Sequence, residues 1–187
     1  MKNLNLTEKR LSRETVFKGR LLHVVRDEAE LPNGHLTTRE GILHPGAVVI
    51  IPFLDEKTLI MERQYRYMPD QIFIELPAGK LDPGEEHLMT GKRELLEETG
   101  YVAEKWEFLN YLYPAIGFAD EQMALYSARD LSFQGINRDE DEFLEIIEVP
   151  LSEALEMVRA GEISDAKTMV GLFWAEKLVK GEWEGRE

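Results

Sequence analysis

Glu94, Glu97 and Glu98 crowd into one short stretch, RELLEETGY (93–101), of a 187-residue chain whose formal net charge is already −14. Like charges at i,i+4 on a helix cost roughly 0.2–0.5 kcal/mol per pair, so Glu94 and Glu98 call for something that offsets their repulsion. Successive helical residues turn by about 100°, which leaves Glu94 and Glu98 about 40° apart with Glu97 on the same flank. Arg93, one step away, is within reach of Glu97. Hard oxygen ligands gathered on one stripe suit Mg²⁺ or Mn²⁺, and a bound dication reverses the sign of the repulsion. A solvated glutamate-rich face is the ordinary alternative for an arbitrary helix of this composition.

The wider spacing separates the two. From Gly79, the stretch GKLDPGEEHLMTGKRELLEETGY fits G-x5-E-x7-R-E-U-x-E-E-x-G-U, with Glu85, Arg93, Glu94, Glu97, Glu98 and Gly100 in place. U is a bulky apolar residue, supplied by Leu95 and, less typically, by Tyr101. At background residue frequencies a chance match in this chain is on the order of one in 10⁵. The stretch resembles the Nudix box of the Nudix hydrolase superfamily. That resemblance implies an α/β fold, an α/β/α sandwich with a mixed β-sheet, and Mg²⁺-dependent hydrolysis of nucleoside diphosphates linked to another moiety. It also implies roles. Glu94 and Glu98 become metal ligands together with the Ala78 carbonyl, and Glu97 binds or orients a metal-bound water. Glu85 and Arg93 brace loop and helix by ion pairs, while Gly79 and Gly100 shape the two ends. Gly91 is a mid-helix glycine, which costs about 1 kcal/mol against alanine; close backbone packing is the expected reason.

Segments outside the box resemble the ADP-ribose pyrophosphatase and nucleoside diphosphate sugar hydrolase branch: TTREGILHPGAVVI (37–50), ERQYRY (62–67), IELPAGKLDPGE (74–85), GFADE (117–121), RDEDEF (138–143) and ISDAKT (163–168). By that resemblance Arg39 and Arg66 contact the diphosphate, where a guanidinium fork matches phosphate oxygens. Glu75 and Glu121 join the substrate side. From the acidic loop Asp139-Glu140-Asp141-Glu142, the resemblance implies Glu140 as the base and Glu142 as a further metal ligand. Two or three ions are expected per site. Ile116 stands where this branch usually has a proline, and Pro114 is the nearest one, which widens the expected substrate from ADP-ribose to nucleotide sugars generally. Relatives acting on (d)NTPs or dinucleoside polyphosphates are the alternative, along with a non-catalytic nucleotide-sensing module.

The elements that must position these residues read as strands and a few helices. Residues 14–44 read as antiparallel strands around the turn Pro32-Asn33-Gly34. AVVIIPFL (47–54), TLIMERQYRY (58–67) and QIFIELPAG (71–79) read as three more. The box helix is expected between the turn Asp82-Pro83-Gly84 and Gly100, a favourable residue past a helix end. WEFLNYLYP, QMALYSARDL and FLEIIEVPL are further strands. Helix SEALEMVRAG follows, with Leu151, Leu155 and Val158 on one face. An amphipathic helix over 165–181, capped by Ser164 or Asp165, comes last. The expected organisation is an N-terminal β extension over 1–45, for dimerisation and base binding, and a catalytic domain over 46–187. Branch relatives are homodimers that exchange N-terminal strands, and Phe17 is the sole aromatic before Phe53 available to such a base site.

Composition bounds the rest. A 43% apolar share is that of a chain with a real core. Absence of cysteine excludes disulfides, thiolate metal sites and a cysteine nucleophile, and fits a cytoplasmic setting. A sequence pI near 4.8 argues against nucleic-acid backbone binding. No apolar run approaches the ~18 residues of a membrane span.

Overall fold

The computed structural model describes residues 4–135 and 143–186. The chain divides into two compact units. One comprises residues 1–44 with 115–121, the other residues 45–114 with 122–187.

The first unit is an antiparallel meander of β1 (Lys9–Lys18), β2 (His23–Glu30) and β3 (Leu36–Leu43), in the order β1-β2-β3. Strand β1 begins five residues before the expected β region. All ten of its positions are exposed, because it is an edge strand that pairs only with β2. The 115–121 segment adds to β3 through Ile42, whose N–H donates to the Phe118 carbonyl at 2.8 Å. The Asp120 carboxylate accepts from the His44 N–H at 2.7 Å.

In the second unit β4 (Ala47–Pro52) is buried at every position. Its unbroken β-branched run suits a strand covered on both faces. It pairs in parallel with β9 (Met123–Phe133) and antiparallel with β7 (Ala78–Lys80), and β8 (Tyr101–Leu112) closes the mixed sheet β7-β4-β9-β8. A second sheet has the order β10-β5-β6, from β5 (Thr58–Arg66), β6 (Gln71–Glu75) and β10 (Leu144–Pro150). Alternation along β4 divides the core. Val48 and Ile50 pack with Leu95 of α1 (His87–Thr99) and with Ala124 and Ala128. Val49 and Ile51 pack on the other face with Leu151 and Ala154 of α2 (Leu151–Ala160) and with Leu172 and Ala175 of α3 (Ala166–Val179). Helices on both faces of a mixed sheet make the α/β/α sandwich. Each fully buried Val, Ile or Leu contributes roughly 1.5–3 kcal/mol.

Two expectations change. QIFIELPAG is not one strand: it breaks at Leu76-Pro77, so that β6 pairs with β5 and β7 with β4. Proline has no N–H for a ladder, and here its carbonyl accepts from the Ile50 N–H at 2.9 Å. Helix α3 is not cleanly amphipathic either. It buries Thr168, Gly171, Leu172 and Ala175 yet exposes Val170 and Phe173. A Cβ on Gly171 would stand 2.4 Å from Leu76 Cδ1, so the glycine lets α3 close on the break between β6 and β7. Asp165 is the cap of α3, its side chain accepting from the Thr168 N–H at 3.0 Å. Among the described residues, no helix is long and apolar enough to cross a membrane.

Candidate active site

Helix α1 starts from a turn that its own side chains fasten. The Glu85 N–H donates to the Asp82 carbonyl at 3.0 Å. The Glu85 carboxylate accepts from the Asp82 N–H at 3.3 Å and from the Thr90 hydroxyl at 2.8 Å. At its other end Gly100 turns out at φ 76°, donating its N–H to the Leu96 carbonyl at 2.9 Å, a conformation that glycine adopts freely. Midway, a Cβ on Gly91 would lie 3.2 Å from both Trp106 and Val48, which explains a glycine inside the helix: α1 lies directly on β4 and β8.

That contact turns two glutamates inward. Glu94 and Glu98 are buried, and the Glu94 side chain is 12% exposed where that of Glu97 is 44% exposed. The Ala78 N–H donates to Glu98 Oε2 at 3.2 Å, and a Cβ on Gly79 would fall 1.8 Å from the carboxyl carbon of Glu94. The loop from Pro77 to Gly79 and the inner face of α1 therefore meet, and only glycine fits at the junction. Arg93 ties the outer side together. It forks onto Glu85 at 2.9 and 3.1 Å and reaches Glu94 and Glu97 at 2.9 Å each. The guanidinium of Arg93 brings the Glu85 carboxyl down to about 2 from an ordinary 4.5, while the three carboxylates raise Arg93 above its usual value.

A second charged cluster joins β5, β6 and α3. Glu75 is 2% exposed; Arg66 forks onto it at 2.7 and 2.8 Å, and Lys167 hydrogen-bonds one of the same oxygens. Lys167 also donates to Asp165 at 2.9 Å. Burial pushes the Glu75 carboxyl upward, but the hydrogen bonds from Arg66 and the charge of Lys167 outweigh it and leave it below its ordinary value. Arg66 is raised chiefly by its bonds to Glu75, with smaller contributions from the charges of Glu62 and Glu98, so this cluster and the α1 carboxylates share one field. Glu62, directly across the strands from Glu75, is 1% exposed.

Residues 43–170 match the sequence model of the NUDIX domain, and residues 8–40 match that of the nucleoside diphosphate sugar hydrolase N-terminal domain. The chain belongs to the Nudix family. It is 43% identical over 166 residues to the ADP-ribose pyrophosphatase of Bacillus subtilis, covering 88% of this chain and 90% of that protein. It is 42% identical over 167 residues to the methanol dehydrogenase activator of Bacillus methanolicus, with the same coverage. A crystal structure of an ADP compounds hydrolase superposes with a TM-score of 0.85 at 29% identity, covering 97% of this chain and 98% of that one. Nudix hydrolases generally use divalent metals.

The donor set of this Nudix chain suits such an ion. Two buried carboxylates beside the Pro77–Gly79 loop supply hard oxygen donors of the kind that hold Mg²⁺ or Mn²⁺. As they stand, no three acidic or histidine side chains among the described residues are gathered closely enough to hold an ion. Arg93 instead takes part of the charge of Glu94 and Glu97.

The other expected residues distribute unevenly over the Nudix fold. Arg39 lies in the first unit and forks onto Glu8 at 2.7 and 3.0 Å. Glu121, in the same unit, lies 3.7 Å from the His44 ring. Glu140 and Glu142 fall outside the described residues. Lys167 and Glu62 were not singled out from sequence. Lys167 sits inside the flagged segment ISDAKT, two residues after a helix-cap aspartate. Glu62 had a signal as well: in TLIMERQYRY it shares a strand face with Ile60, which makes it a glutamate at a core position.

Proposed function

We propose that this protein is a Mg²⁺-dependent Nudix pyrophosphatase that cleaves the diphosphate of nucleoside diphosphate sugars, ADP-ribose foremost, releasing AMP and ribose 5-phosphate. The observation that carries the reading is the burial of Glu94 and Glu98 against the Pro77–Gly79 loop, with Arg66 exposed on one flank of the same field. Its relatives and its N-terminal family match point to the nucleotide-sugar branch.

In this reading Glu94, Glu98, the Ala78 carbonyl and Glu142 would hold two or three Mg²⁺ ions, with Mn²⁺ as a substitute. A bound ion would supply charge neutralisation on the diphosphate and a more acidic water. Arg66 and Arg39 grip the diphosphate, Glu75 orients Arg66, and Glu121 meets the sugar side. Glu97 or Glu140 takes the proton from the attacking water, which displaces one phosphate from the other in line. Gly79, Glu85, Arg93 and Gly100 keep loop and helix in register. Residues 46–187 supply the catalytic domain. Residues 1–45 supply a dimerisation and base-binding extension, exchanged between two subunits of a cytoplasmic homodimer. Support for the last point is β1, exposed throughout, with Leu11, Val16 and Phe17 uncovered.

A hydrolysis panel with Mg²⁺ over ADP-ribose, a hexose nucleotide and dGTP, run in ¹⁸O-labelled water, tests the reading. Preference for the nucleotide sugars, with ¹⁸O in one monophosphate product, is expected. Preference for dGTP would replace it. Sedimentation at micromolar concentration tests the dimer, and a monomer would remove it.

A further inference from the structure

Glu75 has two cations of different character. The Arg66 side chain is 42% exposed, whereas that of Lys167 is 11% exposed. Arg66 uses Nε and one Nη for its fork, two of the five N–H donors a guanidinium carries. A buried carboxylate that loses a partner is strongly destabilised, so an arginine serving as the sole cation of Glu75 would be held tightly to it. Lys167 changes that. It reaches Glu75 from α3, and its own position is set twice over. Asp165 receives its second hydrogen bond, and the hydroxyl of the next residue, Thr168, accepts from the Leu76 N–H at 2.9 Å. The ammonium is thus fixed by the start of α3 to the strand end that carries Glu75.

We propose that Lys167 is a positioning residue for the hydrolytic reaction: by neutralising Glu75 from the buried side, it leaves the Arg66 guanidinium available to the substrate diphosphate. The inference rests on the reading of Arg66 as a diphosphate contact. Lys167 itself touches no substrate. Its effect passes through one shared carboxylate oxygen, which accepts from both cations.

The test is a double-mutant cycle read in ADP-ribose kinetics with saturating Mg²⁺. Lys167→Met should raise KM by about tenfold while kcat changes by no more than about twofold, the signature of lost binding without lost chemistry. In a Glu75→Gln background, where no buried charge needs a second cation, the same Lys167→Met change should raise KM by less than about twofold. Lys167→Arg, which keeps the charge, should restore most of the KM. An equal rise in KM in both backgrounds overturns the proposal, as does a lowered Tm with KM unchanged, which would make Lys167 merely structural. If Lys167→Met does not fold, Lys167→Gln takes its place in the cycle with the same criteria. Failure of the underlying reading shows separately: Arg66→Ala would then leave KM for ADP-ribose unaltered, whatever Lys167 does.

Discussion

The two charged clusters of the second unit are built in opposite senses. On α1 a single guanidinium, Arg93, serves three carboxylates, Glu85, Glu94 and Glu97, all within a span of thirteen residues. Across β5, β6 and α3 a single carboxylate, Glu75, serves two cations that lie about a hundred residues apart in the chain. The first is locally encoded and in surplus of negative charge, the condition under which a dication is welcome. The second is assembled by the fold, and it offers a cation toward solvent. One cluster has the charge that suits a metal and the other the charge that suits a phosphate, and Arg66 lies within the field of Glu98.

The strongest way to break that contrast is to remove an inner carboxylate. Glu98→Gln is nearly isosteric and should leave Tm within a few degrees, yet turnover at saturating Mg²⁺ should fall at least about 100-fold, since even residues that only support metal ligands commonly cost 10–100-fold. Retained turnover would move metal binding away from α1. Steady-state kinetics beside a thermal melt decides it. Gly79→Ala should come next. A Cβ there would stand 1.8 Å from the Glu94 carboxyl carbon, so loop or glutamate must shift. Overpacking of this kind costs about 1–3 kcal/mol, and the displaced Glu94 should depress activity well beyond what the lost stability explains. Denaturant titration together with a Mg²⁺ titration of the rate separates the two losses.

The same contrast explains what the sequence could disclose. The α1 cluster was legible because helix period, loop and cap are all short-range: spacing put Glu94 and Glu98 on one side and Arg93 within reach of Glu97, and the family resemblance added the Glu85 brace. Burial was not legible. That Glu97 stays half exposed while Glu94 and Glu98 turn inward depends on the face α1 lays on Val48 and Trp106, a choice made by the sheet. The Lys167–Glu75 bond joins residues whose proximity follows from α3 docking at the Leu76-Pro77 break, and that break was itself read as continuous strand. Strand β4 was plain as an unbroken apolar run because both its faces are buried; the missed start of β1 reflects a strand without a buried face, hence without a periodic signal.

Gly91→Ala is a smaller test of why α1 sits so close to the sheet. Helix preference alone favours alanine by about 1 kcal/mol. The added Cβ meets Trp106 and Val48 at 3.2 Å, tighter than relaxed contact, so crowding should exceed that gain and leave a net loss of about 1 kcal/mol. Unchanged or increased stability in urea would mean that the helix can move outward freely. Turnover per folded molecule should stay within about threefold, because neither inner carboxylate is touched.

The mildest perturbation is protonation of the outer brace. Glu85 titrates at about 2 in the folded protein, against an ordinary 4.5, because Arg93 stabilises its charged form. A lowered folded-state value means that the unfolded chain binds the proton first as acid is added. The stability due to this brace is therefore fully present above about 4.5 and drains away as pH falls toward 2. Glu85→Gln removes the titrating group while keeping a hydrogen-bonding amide. Its Tm should lie below that of the wild type at pH 7, and the gap should narrow progressively below pH 4.5. A gap independent of pH across that window would assign the role of Glu85 to shape rather than charge, and would leave Arg93 to its bonds with Glu94, Glu97 and the Lys80 carbonyl.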